Sequence, residues 1–307
     1  NVTVTDFNRC YITQSAIITQ PQPLGFVSIS SPSTCGDQNG SACVVVVGGL
    51  IPYTITWNDP NTTIGLCLDS VYVGVYNPIL TDGNNCSFTE PVIINDIAGP
   101  NIDSIVTTDL ACHGLTNGSA TVSTSGGTPS FTYTWKDGNG DTLGGNSAYL
   151  FGLSGGTYTV TIEDGNDCVV SQVFSIFEPL PMASAITNSN NVSCFGFCNG
   201  SASIMVGNGT PPYTYAWTPS GDTTSNAAGL CGGPNNVLVT DINGCQITDG
   251  VVLAEPDEML ILSTVDDVSC YGESDGQISV NVTGGTQPYV YIWLPSGTGS
   301  GMLVTNL

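Results

Sequence analysis

The chain has very few basic residues. Its 307 residues include two, Arg9 and Lys136, against 25 acidic residues, and the formal net charge at pH 7 is −23. Such a charge repels the phosphates of nucleic acids and the anionic surfaces of membranes. No apolar run approaches the ~20 residues that a membrane-spanning helix needs. We therefore expect no nucleic-acid partner and no insertion into a membrane.

The chain is equally poor in the residues that catalysis and zinc binding use. It contains one histidine, His113, and one lysine, and no two cysteines form a Cys-x-x-Cys pair. Zinc sites usually combine closely spaced Cys and His ligands. A glycosidase would need only two carboxylates, but no part of the chain has a distinctive acidic cluster. The sequence predicts a protein that is not an enzyme, with no catalytic residues.

Helical periodicity is also missing. Runs of β-branched and aromatic residues end at Gly, Asn, Asp and Pro, which is typical of strands separated by turns. In the best-formed stretch, the predicted strands are residues 201–206, 212–217, 236–240 and 246–253. Short strands of this kind, with tryptophans at regular intervals, predict small β-sandwiches. The tryptophans are Trp57, Trp135, Trp217 and Trp293.

One motif recurs along the chain. Each copy begins with an opening cysteine, continues through a Gly-Gly-x-x-Pro-Tyr-x-x-x-Trp strand, and ends with a closing cysteine in a Thr/Glu-Asp-x-Asn-x-Cys turn. The opening cysteines are Cys35, Cys112, Cys194 and Cys270, which are 77, 82 and 76 residues apart. The closing cysteines are Cys10, Cys86, Cys168 and Cys245. A fixed period of this size is typical of arrays of small stacked units.

The period predicts three whole repeats and one split repeat. The whole repeats are residues 22–98, 99–179 and 180–256, called repeats 1, 2 and 3. Residues 1–21 match the C-terminal strands of a repeat, and residues 257–307, called repeat 4, match its N-terminal part. Units of about 77 residues have small cores and usually need staples. The 12 cysteines therefore predict disulfides and an extracellular or cell-surface location.

The repeat motif resembles a known family, the SprB-type repeat, which occurs in tandem in surface adhesins and secreted proteins of Bacteroidetes. The segments that carry the resemblance are Cys194-Phe195-Gly196, Asn199-Gly200-Ser201-Ala202, Pro211-Pro212-Tyr213-Thr214-Tyr215-Ala216-Trp217, Gly229-Leu230 and Thr240-Asp241-Ile242-Asn243-Gly244-Cys245. Repeat 1 departs most, at Cys43-Val44-Val45-Val46-Val47 and in a longer insertion from Leu68 to Leu80. The resemblance implies an all-β tandem array of small immunoglobulin-like sandwiches, stapled by disulfides, in a secreted fibre or adhesin.

Matching positions predict one core disulfide within each whole repeat, joining its opening and closing cysteines. The expected pairs are Cys35–Cys86, Cys112–Cys168 and Cys194–Cys245. Each would close a loop of about 50 residues, worth on the order of 4 kcal/mol. This pairing requires an even number of strands between the two cysteines, so that both lie at one end of the sandwich. The extra cysteines of repeats 1 and 3 predict two further bonds, Cys43–Cys67 and Cys198–Cys231.

Cys10 and Cys270 remain, one in each part of the split repeat. If residues 1–20 of one copy complete repeat 4 of another, we expect an intersubunit disulfide between them. The alternative at this point is two free thiols.

Two kinds of surface modification and one metal are also candidates. The resemblance to Bacteroidetes proteins implies O-glycosylation at Asp-Ser/Thr-apolar tripeptides, here at Ser70, Ser104 and Thr142. Asn-x-Ser/Thr sequons suggest Asn61, Asn191, Asn208 and Asn281. Asp137, Asn139 and Asp141 have the 1-3-5 oxygen spacing of a calcium loop, but Ala148 stands at position 12, so a hairpin tip is the competing interpretation. The Tyr-x-x-x-Trp stripes recur at strand spacing and are expected in the cores, not in a carbohydrate platform.

Two functions remain open from the sequence. The chain is either a structural subunit of an extracellular filament, assembled head to tail with copies of itself, or a stalk segment of a large cell-surface adhesin. In the first case, residues 1–20 of one copy supply the last strands of another copy's repeat 4 by strand addition. In the second case, the same contact is made within one longer backbone. Glycans or cell surfaces are further expected partners, and calcium is the one cofactor considered.

Overall fold

A computed structural model describes residues 1–294 and 301–307 of the chain. The described residues contain strands, turns and loops but no helix, as the sequence predicts for an all-β protein. Correspondingly, no helix within these ranges could span a membrane.

The described residues form 28 strands. Those of residues 1–97 are β1 Val2–Thr5, β2 Tyr11–Gln14, β3 Gly25–Ser31, β4 Ser33–Thr34, β5 Gly40–Val47, β6 Thr54–Thr56, β7 Cys67–Val71, β8 Gly74–Tyr76, β9 Ile79–Thr81, β10 Ser87–Thr89, β11 Val92–Ile94 and β12 Asp96–Ile97. Those of repeat 2 are β13 Pro100–Thr108, β14 Gly118–Gly126, β15 Thr132–Asp137, β16 Thr142–Leu143, β17 Tyr149–Leu153, β18 Gly156–Glu163 and β19 Val169–Ile176. Those of repeats 3 and 4 are β20 Ala183–Asn190, β21 Gly200–Gly207, β22 Thr214–Thr218, β23 Asn226–Leu230, β24 Gly233–Thr240, β25 Gln246–Leu253, β26 Leu260–Asp266, β27 Gln277–Thr283 and β28 Leu303–Thr305.

These strands belong to two compact units. The first comprises residues 1–107, 120–151 and 157–175, and the second comprises residues 108–119, 152–156 and 176–307. Repeat 1 lies wholly in the first unit, repeats 3 and 4 lie wholly in the second, and repeat 2 contributes residues to both.

Repeat 3 shows the architecture of a whole repeat most clearly. Two three-stranded antiparallel sheets, in the orders β20-β21-β23 and β22-β24-β25, face each other. Alternate residues of each strand point inward, as the two-residue period of a strand requires. The buried core draws on both sheets and contains Ala202, Ile204, Trp217, Ala227, Leu230, Val237, Val239 and Leu253. Burial of this shared apolar face holds the two sheets together.

The tryptophan of each whole repeat lies at the centre of its sandwich. Trp57, Trp135 and Trp217 are between 0% and 2% exposed, which places them in the cores as predicted. The indole N–H of each donates to a backbone carbonyl: Gly65 at 3.0 Å, Ser147 at 2.9 Å and Thr224 at 3.0 Å. Because a buried N–H without an acceptor is costly, these bonds allow a ring with a polar group to occupy the core.

The path of the chain through repeat 3 decides where its cysteines lie. β21 runs antiparallel to β20, and β23 runs antiparallel to β21. β24 runs antiparallel to both β22 and β25. The chain leaves β22 for the other sheet and enters β23 without reversing direction, so these two strands make one crossing of the sandwich. Three crossings therefore separate the opening loop from the closing turn, and the two lie at opposite ends.

Repeats 1 and 2 keep this plan with variations. Repeat 1 has the sheets β3-β5-β7 and β10-β9-β6, with two additional two-stranded pairs, β11-β8 and the parallel pair β12-β4. Repeat 2 has the sheets β13-β14-β17 and β16-β15-β18-β19. The additional pair β12-β4 holds the last residues of repeat 1 beside its opening loop.

The two partial repeats are folded but incomplete. β1 and β2 form an antiparallel hairpin that pairs with no other described strand, and Thr5 lies opposite Tyr11. Repeat 4 has one three-stranded sheet, β26-β27-β28, which corresponds to β20-β21-β23 of repeat 3. Within its described residues, nothing corresponds to β24 and β25.

Candidate assembly site: junction cysteines and incomplete sandwiches

The core disulfides join neighbouring repeats. Cys35 of repeat 1 bonds to Cys168 of repeat 2, and Cys112 of repeat 2 bonds to Cys245 of repeat 3. Both bonds span 133 residues of sequence, and their Cα atoms are 5.2 and 5.5 Å apart. In both cases the opening cysteine of one repeat is bonded to the closing cysteine of the next repeat.

This result corrects the predicted pairs Cys35–Cys86, Cys112–Cys168 and Cys194–Cys245. The prediction required an even number of strands between the two cysteines of a repeat. Because β22 and β23 run in one direction, the number of crossings is odd, and the two cysteines of a repeat lie at opposite ends of the sandwich. The opening cysteine is instead at the end where the chain passes to the next repeat, beside that repeat's closing turn.

At the first junction, several contacts hold the opening loop to the linker. The Cys35 N–H donates to the carbonyl of Ile97 at 3.0 Å, and the Gly36 N–H donates to Oδ1 of Asp96 at 3.2 Å. A Cβ atom placed on Gly99 would lie 2.8 Å from the Cβ of Cys168, so glycine is required where the linker passes the disulfide. The junction is therefore fixed by backbone bonds as well as by the disulfide.

The second junction repeats this arrangement. The Gly114 N–H donates to Oε1 of Glu178 at 2.8 Å, and Nδ1 of His113 lies 3.0 Å from the same carboxylate oxygen. Sγ of Cys245 lies 3.3 Å from the carbonyl oxygen of Ala111, next to its partner Cys112. The linker acid at this junction, Glu178, therefore has the same role as Asp96 at the first junction.

The third junction has the same loop but no disulfide. The Gly196 N–H donates to Oε1 of Glu255, and the Ala254 N–H donates to Oδ1 of Asn191 at 2.9 Å. Cys194 lies in this loop as a free, exposed thiol. Asp96, Glu178 and Glu255 each accept the N–H of a glycine in the opening loop, and this role was not predicted. The Glu-Pro spacing after the closing cysteines of repeats 2 and 3 was nevertheless visible in the sequence.

The closing cysteines all sit in one kind of turn. An aspartate four residues before the cysteine accepts its N–H: Asp6 at 2.8 Å, Asp82 at 2.9 Å, Asp164 at 3.0 Å and Asp241 at 2.9 Å. Cys10 therefore has the local geometry of Cys168 and Cys245, which are bonded.

Asp82, Asp164 and Asp241 are almost fully buried, and the pKa of each carboxyl is nevertheless below its ordinary value. The Thr128 N–H, which donates to Oδ2 of Asp164 at 2.8 Å, is the main cause that lowers the pKa of this carboxyl. For Asp82 and Asp241, burial by itself raises the pKa, but the combined backbone N–H donors outweigh it and the net pKa is lowered. The closing turns are thus built around ionised carboxylates.

The two smaller disulfides lie within repeats, and the structure forms them where the sequence predicted. Cys43 and Cys67 are directly opposite each other on β5 and β7. Cys198 and Cys231 flank the opposed pair Gly200 and Leu230 of β21 and β23. Cys10, Cys86, Cys194 and Cys270 remain, and all four are free and exposed.

The hairpin β1-β2 and the residues after it expose side chains that are buried in whole repeats. Val4 is 62% exposed, whereas its counterparts Leu80, Ile162 and Val239 are each 0% exposed. Ile18 is 96% exposed, whereas its counterparts Ile94, Ile176 and Leu253 are between 1% and 3% exposed. Val4 and Ile18 are therefore exposed at positions whose side chains belong to the sandwich core in whole repeats.

Repeat 4 has an apolar face that no described strand covers. An open apolar cavity of about 550 Å³ lies over its sheet, lined by residues that include Ile261, Val280, Tyr291 and Trp293. A second cavity, of about 370 Å³, lies beside Gly276 and Ile278. In repeat 3 the corresponding space is filled by β24 and β25.

Comparison with known protein families gives the identity of the repeat. A family model for the SprB repeat matches the chain four times, at residues 27–62, 104–140, 186–222 and 262–298. The chain is a tandem array of SprB repeats. Each match falls in the opening half of one repeat, from its first strand to the region of its tryptophan.

The solved structures that this chain resembles include immunoglobulin-domain proteins, at low sequence identity and low structural similarity. One is a Dpr2 Ig1-Ig2 complex with DIP-Theta Ig1-Ig3, at 14% identity and a TM-score of 0.28, covering 77% of this chain and 100% of that one. Another is Drosophila OTK, extracellular domains 3-5, at 11% identity and a TM-score of 0.23, covering 78% and 100%. A third is the insect immune protein hemolin, at 12% identity and a TM-score of 0.28, covering 75% of this chain and 76% of that one. No curated protein matches the sequence.

The remaining predicted sites lie on the surface of the SprB array. Ser70, Ser104, Thr142, Asn61, Asn191, Asn208 and Asn281 are all exposed, and glycosylation at each stays a prediction. Two of the asparagines are already engaged: Asn191 accepts the Ala254 N–H, and Nδ2 of Asn208 donates to the carbonyl of Pro181 at 3.2 Å.

The candidate calcium residues of the second SprB repeat lie in the turn between β15 and β16. Oδ1 of Asp137 accepts the N–H groups of Asn139 at 2.9 Å and Asp141 at 3.0 Å. Within the described part of the chain, no cluster of three or more His, Cys, Asp or Glu side chains forms a metal site. The turn geometry accounts for the aspartate spacing, and calcium binding stays a prediction.

Proposed function

We propose that this chain is a non-enzymatic structural subunit of an extracellular filament. Residues 1–20 of one copy complete repeat 4 of the next copy, which produces a head-to-tail polymer. The observation that carries the proposal is the exposure of Val4 and Ile18, whose counterparts are buried in all three whole repeats. Exposed strand edges and apolar faces of this kind favour association. The disulfides and the SprB repeats support an extracellular or cell-surface location.

Repeat 3 supplies the register of the proposed contact. There, Val239 lies opposite Tyr215 and Val237 lies opposite Trp217. By equivalence, Val4 of the incoming hairpin would lie opposite Tyr291 of repeat 4, and Val2 would lie opposite Trp293. The hairpin would then add two strands beside residues 289–293, which match β22 of repeat 3 in sequence, and cover the larger cavity.

The end of the donated segment has matching contacts. In repeats 1, 2 and 3, a Cβ on the glycine of the Asn-Gly-Ser turn would lie 2.6–2.8 Å from the side chain of Ile94, Ile176 or Leu253. The equivalent glycine in repeat 4 is Gly276, beside the smaller cavity, and Ile18 would fill that space. Gln20 matches Asp96, Glu178 and Glu255 in position, so its side-chain carbonyl would accept the Gly272 N–H.

Aspartate substitutions test the proposal, with a neighbouring residue as the control. Val4→Asp and Ile18→Asp should each abolish filaments seen by electron microscopy, because a charge would have to enter the completed core. Neither should lower the melting temperature of the free chain, because both side chains are exposed there. Ile17→Asp is the matched control, since Ile17 is 90% exposed and its counterparts Ile93 and Val252 are also exposed.

Ile17→Asp should therefore still form filaments. Filaments of normal length from Val4→Asp and Ile18→Asp would refute strand donation. A soluble peptide of residues 1–20, added in excess, should shorten the filaments of the native chain by capping repeat 4. The same peptide carrying Ile18→Asp should have no effect.

The second candidate is a stalk segment of a longer cell-surface adhesin. It is favoured by the three junctions inside this chain, each of which joins consecutive repeats of one backbone. In that case, the residues that complete each partial sandwich belong to the same polypeptide, and the denatured protein from its native source should be a single chain longer than 307 residues. Filaments of uniform width support the first function, and single particles of bounded length support the second.

A further inference from the structure

The four free cysteines lie at the positions that would continue the series of bonds Cys35–Cys168 and Cys112–Cys245. We propose that each junction between two copies is locked by two disulfides, Cys194 to Cys10 of the next copy and Cys270 to Cys86 of the next copy. The inference rests on the proposed assembly, because the second copy supplies the closing turns.

The pairing follows from the rule that the opening cysteine of each repeat bonds to the closing cysteine of the next repeat. Cys194 opens repeat 3, and the next closing turn, that of the completed repeat 4, belongs to residues 1–20 of the second copy and carries Cys10. Cys270 opens repeat 4, and the repeat that follows it is repeat 1 of the second copy, which closes at Cys86. The rule therefore assigns a partner to each thiol that the single chain leaves free.

Three of the four free cysteines, Cys194, Cys10 and Cys86, are already held as the bonded ones are. The loop of Cys194 is held by Gly196 on Glu255, as the loop of Cys112 is held by Gly114 on Glu178. The turns of Cys10 and Cys86 are held by Asp6 and Asp82, as the turn of Cys168 is held by Asp164. Because the loop of Cys194 and the turn of Cys10 are both preformed, alignment of the two copies brings these two thiols together with little rearrangement.

The rule also excludes the intersubunit bond Cys10–Cys270 that was expected from the sequence. Those two cysteines are the closing and opening cysteines of the same completed sandwich. They would therefore lie at opposite ends of it, as Cys194 and Cys245 do in repeat 3.

Formation of each bond is an oxidation. Two thiols lose two protons and two electrons, and a disulfide oxidant accepts them and is reduced to two thiols through a mixed-disulfide intermediate. Each junction needs two such exchanges. Oxidised glutathione is the oxidant in the test below.

Three double variants separate the possible pairings. Cys194→Ser/Cys270→Ser keeps only the closing thiols, and Cys10→Ser/Cys86→Ser keeps only the opening thiols. Cys86→Ser/Cys194→Ser keeps Cys10 and Cys270. Each variant is incubated with oxidised glutathione under conditions in which the native chain assembles, and covalent products are separated on non-reducing SDS gels.

The native chain should give a covalent ladder, and each of the three variants alone should give monomers. An equal mixture of the closing-only and opening-only variants should give a covalent dimer and no longer species. Removal of an internal bond by Cys43→Ser/Cys67→Ser should leave the ladder intact. Peptic digestion of the native polymer made from a mixture of ¹⁴N and ¹⁵N chains should yield Cys10–Cys194 and Cys86–Cys270 peptides of mixed isotope content.

A ladder from the variant that keeps Cys10 and Cys270 would overturn the pairing, as would isotopically unmixed peptides. Electron microscopy of the same samples in reductant separates this failure from failure of the proposed function. Filaments without cross-links would overturn the disulfide inference alone. The absence of both filaments and cross-links would overturn it together with strand donation.

Discussion

The Cα atoms of Cys112 and Cys245 lie 5.5 Å apart, although 133 residues separate them in sequence. Their bond joins the far end of one repeat to the near end of the next and passes alongside the linker, as Cys35–Cys168 does at the first junction. Each such junction therefore has two covalent connections, the backbone and a disulfide. A double connection restricts bending between the two repeats.

Removal of a junction disulfide should destabilise the chain more than removal of an internal one. In the chain-entropy model, loops of 133 and 24 residues correspond to about 5 and about 3.5 kcal/mol. Cys35→Ser/Cys168→Ser should therefore lower the unfolding temperature of repeats 1 and 2 more than Cys43→Ser/Cys67→Ser does. Differential scanning calorimetry in a background lacking the four free thiols measures both. An equal or reversed order would show that the junction bond contributes little.

The stability of repeat 2 should depend on the ionisation of Asp164. Its pKa in the folded state lies below the ordinary value of 3.8, mainly because the Thr128 N–H donates to it. A carboxyl with a depressed folded pKa stabilises the fold above its unfolded pKa, and this contribution is lost as the pH falls through the folded value. The native free energy of unfolding should therefore fall below about pH 4.

Asp164→Asn should be less stable than the native chain at pH 7, because the amide cannot accept all of the N–H donors that the carboxylate accepts. The difference should narrow below pH 4. Urea titrations at pH 7 and pH 3 measure it, with the exposed Asp37→Asn as control. A difference that stays constant with pH would contradict the assignment.

The tryptophans of repeats 3 and 4 should respond differently to truncation. Trp217 is 2% exposed, and Trp217→Ala should cost about 3–5 kcal/mol because it leaves a cavity in a complete core. Trp293 is only partly buried beside an open cavity, so Trp293→Ala should cost the free chain much less. It should instead weaken assembly, which sedimentation velocity measures. Similar losses of stability for both variants would show that repeat 4 already has a complete core.

Added salt should leave the assembly intact or make it more stable. Copies that each carry a net charge of −23 repel one another, and salt screens this repulsion. Ion pairs have little part in the fold, since the one formed within the described residues joins His113 and Glu178. Light scattering at sodium chloride concentrations from 0.05 to about 0.5 M tests this, with a screening length of about 10 Å at 0.1 M. Dissolution by moderate salt would indicate an assembly held by charge.

Much of this protein was determined by its sequence because the relevant signals are local. Strand alternation, turn residues and the recurring tryptophan predicted an all-β array, and the family match is consistent with that prediction. The bonds Cys43–Cys67 and Cys198–Cys231 were also predictable, since each pair of extra cysteines occurs within a single repeat. The match of residues 1–20 to a closing hairpin was visible as a shift in the phase of the repeat.

The junction pairing was decided only by the tertiary structure. The sequence shows that Cys194 and Cys245 belong to one repeat, but it does not show that β22 passes into β23 of the other sheet without reversing. That single change of sheet makes the number of crossings odd and places the two cysteines of a repeat at opposite ends. Tertiary structure also revealed the burial of Ile94, Ile176 and Leu253, and hence the significance of Ile18. Burial depends on residues distant in sequence packing against one another, and no local pattern around Ile18 records it.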